Sequence, residues 1–200
     1  MKKIIAMLLA LTMLVAFAGC NNTTAPETTE GTTPVETTTA PTTEPVATVA
    51  SALEILETTW NLFGEDEKFF VMGGDFDNLV DGAPGAVNVA GVDFLTGNLI
   101  VPADQTANIT DAASLIHAMN ANTFTCAAYA VADVQAFADA MKTAIQGNHW
   151  MCGFPEKLVI AEVGGYVVVM FGHGDAVNPF LTNLNTAYPT TNILAEEAIG

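Results

Sequence analysis

The chain has 200 residues, with 5 Lys, no Arg, 22 Asp plus Glu, a formal net charge of −17 and 3 Cys. Four acids per base and no Arg exclude a nucleic-acid binder, because phosphate contacts need Lys and Arg, and the same deficit excludes a polybasic membrane-surface protein. Half of the residues are apolar, so most of the chain has the composition of a folded protein of one or at most two domains, and three Cys are too few for a disulfide scaffold.

Residues 1–19 read as a secretory signal. Lys2 and Lys3 precede the apolar run Ile4 to Phe17, which is broken only by Thr12. That run is shorter than the roughly 20 residues of a membrane span. It ends in Phe17-Ala18-Gly19-Cys20, which resembles the lipobox of bacterial lipoproteins. The resemblance implies that Cys20 becomes the diacylated N-terminus, and two acyl chains anchor stably where one does not.

Residues 20–46 read as a tether. From Thr23 to Thr48 there are 12 Thr, 4 Pro and 4 Glu, with no periodic apolar face. Such a segment buries too little surface to offset its ordering entropy, and its Pro residues favour extended stretches of about 3 Å per residue. Eighteen of the 22 acids and three of the five Lys lie beyond it, so the remainder carries a side-chain charge of −15.

A single α+β globular domain is expected over 47–200. Val49, Leu53, Leu56, Trp60 and Phe63 mark one face of an amphipathic helix. Phe69 to Met72 predicts a strand, and Asp75 to Asn108 predicts loops with short strands around recurring Gly, Pro and Asp. Thr110 or Asp111 would cap a helix carrying Ala112, Leu115, Ile116 and Met119. Thr123 to Val131 predicts a strand. Asp133 then opens a helix with Val134, Phe137, Met141 and Ile145 on its face. Leu158 to Val163 and Tyr166 to Phe171 predict strands joined by Gly164-Gly165 in a hairpin turn. Val177, Phe180, Leu181, Leu184 and Tyr188 predict a helix with Pro179 in its first turn, after a turn capped by Asp175. Asn192 to Glu196 predicts the last strand. The order β-α-β-β-α-β over about 123–197 suggests a ferredoxin-like sandwich, an antiparallel sheet with two helices on one face, plus the N-terminal helix and the irregular segment as cover.

The stretch Trp150-Met151-Cys152-Gly153-Phe154-Pro155, the strand over 157–163 and Gly164-Gly165-Tyr166 resemble uncharacterised surface lipoproteins of anaerobic clostridial-type bacteria. The lipobox and the Thr/Pro/Glu tether match that group in layout. The resemblance implies an extracytoplasmic, lipid-anchored location and brings no activity, ligand or cofactor with it.

Local patterns for catalysis are missing. His117, His149 and His173 show neither His-x-x-x-His nor His-Glu-x-x-His spacing. The two Ser, Ser51 and Ser114, lie in no nucleophile-elbow motif. Cys152 with His149 or His173 is a conceivable thiolate pair, but no Cys-protease signature surrounds it. Cys126, Cys152 and His149 are a conceivable distant zinc set, and Cys126 and Cys152 are open to either a disulfide or two free thiols, buried or half-buried. The acids from Asp75 to Asp81 fail the EF-hand pattern and read as a solvated loop. No phosphate-binding Gly loop occurs, and no cofactor or metal is expected. His149, Trp150, Cys152 and Phe154 form the candidate binding loop, against the simpler expectation that Trp150 and Phe154 plug the core. The sequence thus suggests a membrane-tethered, non-enzymatic module that binds an unknown protein or small molecule. An accessory lipoprotein of a transport or secretion complex and a Cys-dependent hydrolase are the competing readings.

Overall fold

A computed structural model describes residues 49–200. The expected signal, the tether and Cys20 lie outside the described residues. Within them, an eight-stranded, wholly antiparallel sheet is flanked by four α-helices. None of these helices is long and apolar enough to cross a membrane.

In chain order the elements are α1 (Ala52–Trp60), β1 (Val71–Gly73), β2 (Val80–Asp81), β3 (Gly85–Ala86), α2 (Val92–Gly97), β4 (Ile109–His117), β5 (Phe124–Val131), α3 (Val134–Gln146), β6 (Lys157–Val163), β7 (Tyr166–Gly172), α4 (Gly174–Ala187) and β8 (Asn192–Ala198). The strands lie in the order β2-β1-β4-β5-β7-β6-β8, with β3 also on β4.

Caps account for the helix starts. Ser51 Oγ accepts from the Glu54 N–H, and the Asp111 carboxylate accepts from the Ala52 N–H at 2.8 Å, so β4 itself caps α1. Asp133 accepts from the Ala136 N–H and opens α3 as expected. At α4 the N-cap is His173 rather than Asp175; the His173 side chain makes no cap bond, and the Glu156 carboxylate accepts from the Gly174 N–H at 3.3 Å. Pro179 falls one turn further in than expected, where its missing N–H costs an interior helix bond. Gly164 and Gly165 both have positive φ (57° and 89°), the geometry that a two-residue hairpin between β6 and β7 needs and that residues with a Cβ resist.

The chain order β-α-β-β-α-β is present, but the ferredoxin-like layering is not. The helices α1 and α4 pack on one face of the sheet with Leu115, Cys126, Ala128, Val159, Val168 and Met170. On the other face, α2 and α3 pack with Ala127, Tyr129, Leu158, Ile160, Val169 and Phe171. The reason lies in the connections. The β5-α3-β6 link steps over β7, and the β7-α4-β8 link steps over β6 in the same direction across the sheet. Because β5 and β7 run antiparallel, two right-handed crossovers advancing the same way must place their helices on opposite faces. The place beside β5 where the last strand would close a ferredoxin-like sheet is held by β4.

β4 is the second correction, because Ala112, Leu115, Ile116 and Met119 were expected on a helix. Ala112, Ala113, Ser114 and Leu115 are all buried, since both faces of this strand are covered. A continuous apolar run of this kind carries neither the helical nor the alternating period. The loop expected between Asp75 and Asn108 also holds a helix, α2, too short to show a period.

Candidate functional site

The β1-to-α2 segment is built around Asp75, which is 4% exposed. One carboxylate oxygen accepts from the Asp77 N–H at 3.0 Å, the Asn78 N–H at 2.9 Å and the Asn78 side-chain amide at 3.2 Å. The other accepts from the Asn88 N–H at 2.6 Å. These bonds, that to Asn88 foremost, hold the Asp75 carboxyl below the usual carboxylate range against the opposing effect of burial. Gly74, at φ +81°, makes the turn into this loop, and a Cβ there would lie 1.9 Å from Asn78 O. Ser114 Oγ, buried on β4, donates to Gly74 O at 2.7 Å and ties the turn to the sheet.

With its polar groups turned inward on Asp75, the loop presents apolar side chains outward. Phe76 is 70% exposed and Leu79 60%. Phe76 meets the buried Phe94 of α2 edge to face, with centroids 5.1 Å apart. Across from them stands Met119, just past β4, 78% exposed. Together with Met72 and Ile116 these side chains line a cleft of about 360 Å³, within the size range of ligand pockets. His117 also lines it. Its Nδ1 accepts from the N–H groups of Met119 and Asn120, at 3.3 Å each, which assigns the proton of the neutral ring to Nε2. Its ring stacks on Phe69 of the α1-side core.

Phe76 and Phe94 also wall a second hollow of about 390 Å³, bordered by Asp75, Asp77, Asn88 and Asp93. Neither Asp77 nor Asp93 joins an ion pair among the described residues. All three Lys there are engaged elsewhere, Lys68 with Glu65, Lys142 with Glu197 and Lys157 with Glu196. The acids from Asp75 to Asp81, expected as a solvated loop, thus divide into a buried organiser and an exposed rim.

The candidate loop around 149–154 is placed differently from expectation. Trp150 is 93% exposed and Phe154 86%, so neither plugs the core. The core positions are filled from the sheet and helices, and the loop is pinned from outside. The Asn122 side-chain amide donates to Cys152 O at 2.7 Å, and His173 Nε2 lies 2.6 Å from Gly153 O. Phe154 has φ +49°, a left-handed backbone that a bulky residue adopts only at a cost. His149 and Phe154 come together in a hollow of about 220 Å³, while Trp150 and Cys152 stand outside it. Cys126 and Cys152 are both free thiols, and contrary to expectation only Cys126 is buried. Burial pushes the Cys126 thiol well up.

Sequence reasoning missed the cleft between β1, α2 and the end of β4. Phe76 and Leu79, apolar residues set within a run of Asp and Asn, were its available signal. No family model, no curated protein and no solved structure matches this chain.

Proposed function

We propose that this protein is a lipid-anchored, extracytoplasmic binding module of a bacterial membrane, attached through Cys20 and working through the cleft beside Phe76. The observation that carries the binding half is the cleft itself. Three large apolar side chains, Phe76, Leu79 and Met119, are held out in solvent around one concave surface. Exposed apolar patches of this kind mark contact sites, and Met adapts to varied partners. The Asp75 hub preorganises that surface, which lowers the ordering cost of binding. A non-enzymatic role is supported by two of the candidate catalytic groups, whereas Cys152 is free and exposed. Ser114 is buried and donates to backbone, and His173 meets Gly153 O.

The location half rests on the leader, the Phe17-to-Cys20 motif and the Thr-rich spacer. Metabolic labelling with a radioactive palmitate tests it. The full chain should take up label and sediment with membranes, and Cys20→Ala should lose both. Undiminished labelling of Cys20→Ala would overturn the anchoring. External protease on intact cells should remove the folded region, and its protection would overturn the location.

A further inference from the structure

We infer that the cleft binds a basic, apolar polypeptide segment, one in which Lys or Arg alternates with bulky apolar side chains. This rests on the binding reading above and specifies its partner.

The two hollows share Phe76 as a wall but differ in chemistry. One side is floored by Met72, Phe94 and Ile116 and rimmed by Leu79 and Met119. The other is bordered by the carboxylates of Asp77 and Asp93. Asp75 borders both hollows and keeps its charge, but its oxygens are held by four hydrogen bonds, so Asp77 and Asp93 are the carboxylates left free to face a ligand. Asp77 and Asp93 have no cation to answer them, since every Lys of the described residues is paired elsewhere. A ligand that lays an apolar side chain on one side of Phe76 and a cation on the other satisfies both hollows. An extended peptide does this with neighbouring side chains, which point to opposite sides of the backbone.

Charge complementarity sets the sign of the partner. The region beyond the tether carries −15, and no Arg or unpaired Lys is available to receive a carboxylate or phosphate. An anionic ligand would meet repulsion on approach, whereas a basic one is steered in. Phe76, planar and exposed beside the acids, also offers a face to a cation.

The test uses the full-length chain in zwitterionic nanodiscs, with empty nanodiscs as the blank and fluorescence polarisation as the readout. Four short labelled peptides serve as probes: Phe alternating with Lys, Phe with Ser, Phe with Glu, and Ser with Lys. The Phe/Lys peptide should bind at least tenfold tighter than any other, and its affinity should fall as salt rises. Phe76→Ser and Met119→Ser should each weaken it at least tenfold, while Ile193→Thr on β8, at the opposite sheet edge from the cleft strand β1, should not. Unchanged thermal unfolding shows that the variants are folded. Equal binding of the Phe/Glu or Phe/Ser peptide, lost with Phe76→Ser, would overturn the basic partner and leave the binding module standing. Equal binding of the Ser/Lys peptide would overturn the apolar half. If no Phe-containing peptide binds in a Phe76-dependent way, both readings fail.

Discussion

The Asn88 N–H donates to the Asp75 carboxylate across 2.6 Å and thirteen residues of chain, closing the segment that shapes the cleft. The bond joins the turn after β1, which carries Phe76, to the stretch before α2, which carries Phe94. Four donors converge on this one side chain. An amide in its place would bring its own N–H donors against them. Asp75→Asn should therefore cost about 2 kcal/mol at pH 7, the scale of buried donors left unpaired beside a lost charge-assisted bond. The folded carboxyl titrates below its usual range, so its stabilisation is complete above an unfolded value of about 3.9 and is lost as pH falls through the lower folded value. Urea unfolding should show the gap between wild type and Asp75→Asn closing in that acid window. A gap independent of pH would remove the carboxylate from the account.

Cys126 and Cys152 differ in access. Cys126 is wholly buried and burial pushes its thiol well up, which withholds the reactive thiolate. Native iodoacetamide treatment followed by peptide mapping should modify Cys152 and spare Cys126, and denaturant should release both. Rapid native labelling of Cys126 would contradict the packing of β5.

The exposed Trp150 and the buried Trp60 are the two Trp of the chain. In Trp60→Phe the remaining emission should be red-shifted and readily quenched by acrylamide. Trp150→Ala should change stability by no more than about 0.5 kcal/mol, as for a surface side chain without partners. A core plug would instead cost about 3–5 kcal/mol.

The two faces of the sheet make separate cores. Ile145 of α3 is buried on one and Leu184 of α4 on the other. Ile145→Val should cost about 1 kcal/mol and Leu184→Ala about 3 kcal/mol. Chemical denaturation of the double variant should return the sum within about 0.5 kcal/mol, because the substituted atoms share no neighbours. A ferredoxin-like arrangement, with both helices on one face, would couple them.

The readable parts of the fold were those whose period survives in one face. α3 declared itself through Val134, Phe137, Met141 and Ile145, and the β6-β7 hairpin through Gly164-Gly165. β4 did not, because burial on both sides removes alternation from Ala112-Ala113-Ser114-Leu115. The same double burial was visible in β7, where Tyr166 to Phe171 is apolar at every position. It signalled that helices must cover both faces, although the element order alone suggested one. The cleft was illegible for a different reason. Its geometry depends on Asp75 reaching Asn88 and on Ser114 reaching Gly74, forty positions away, and neither pairing leaves a local pattern. Trp150 and Phe154 misled by size, since bulk and apolarity mark a core residue and an exposed one alike.

The last strand, β8, ends the sheet with its outer row of backbone groups uncovered by another strand. Such a margin invites a neighbouring copy to zip on, the first step toward a fibre. Here Glu196 and Glu197 stand on opposite faces of that margin, each tied back to its own molecule through Lys157 or Lys142. The register also slips between Ile160 and Ala161 opposite it. Two molecules meeting at this border would confront acid with acid across a kinked seam. Crowding many copies side by side should therefore leave them as separate molecules.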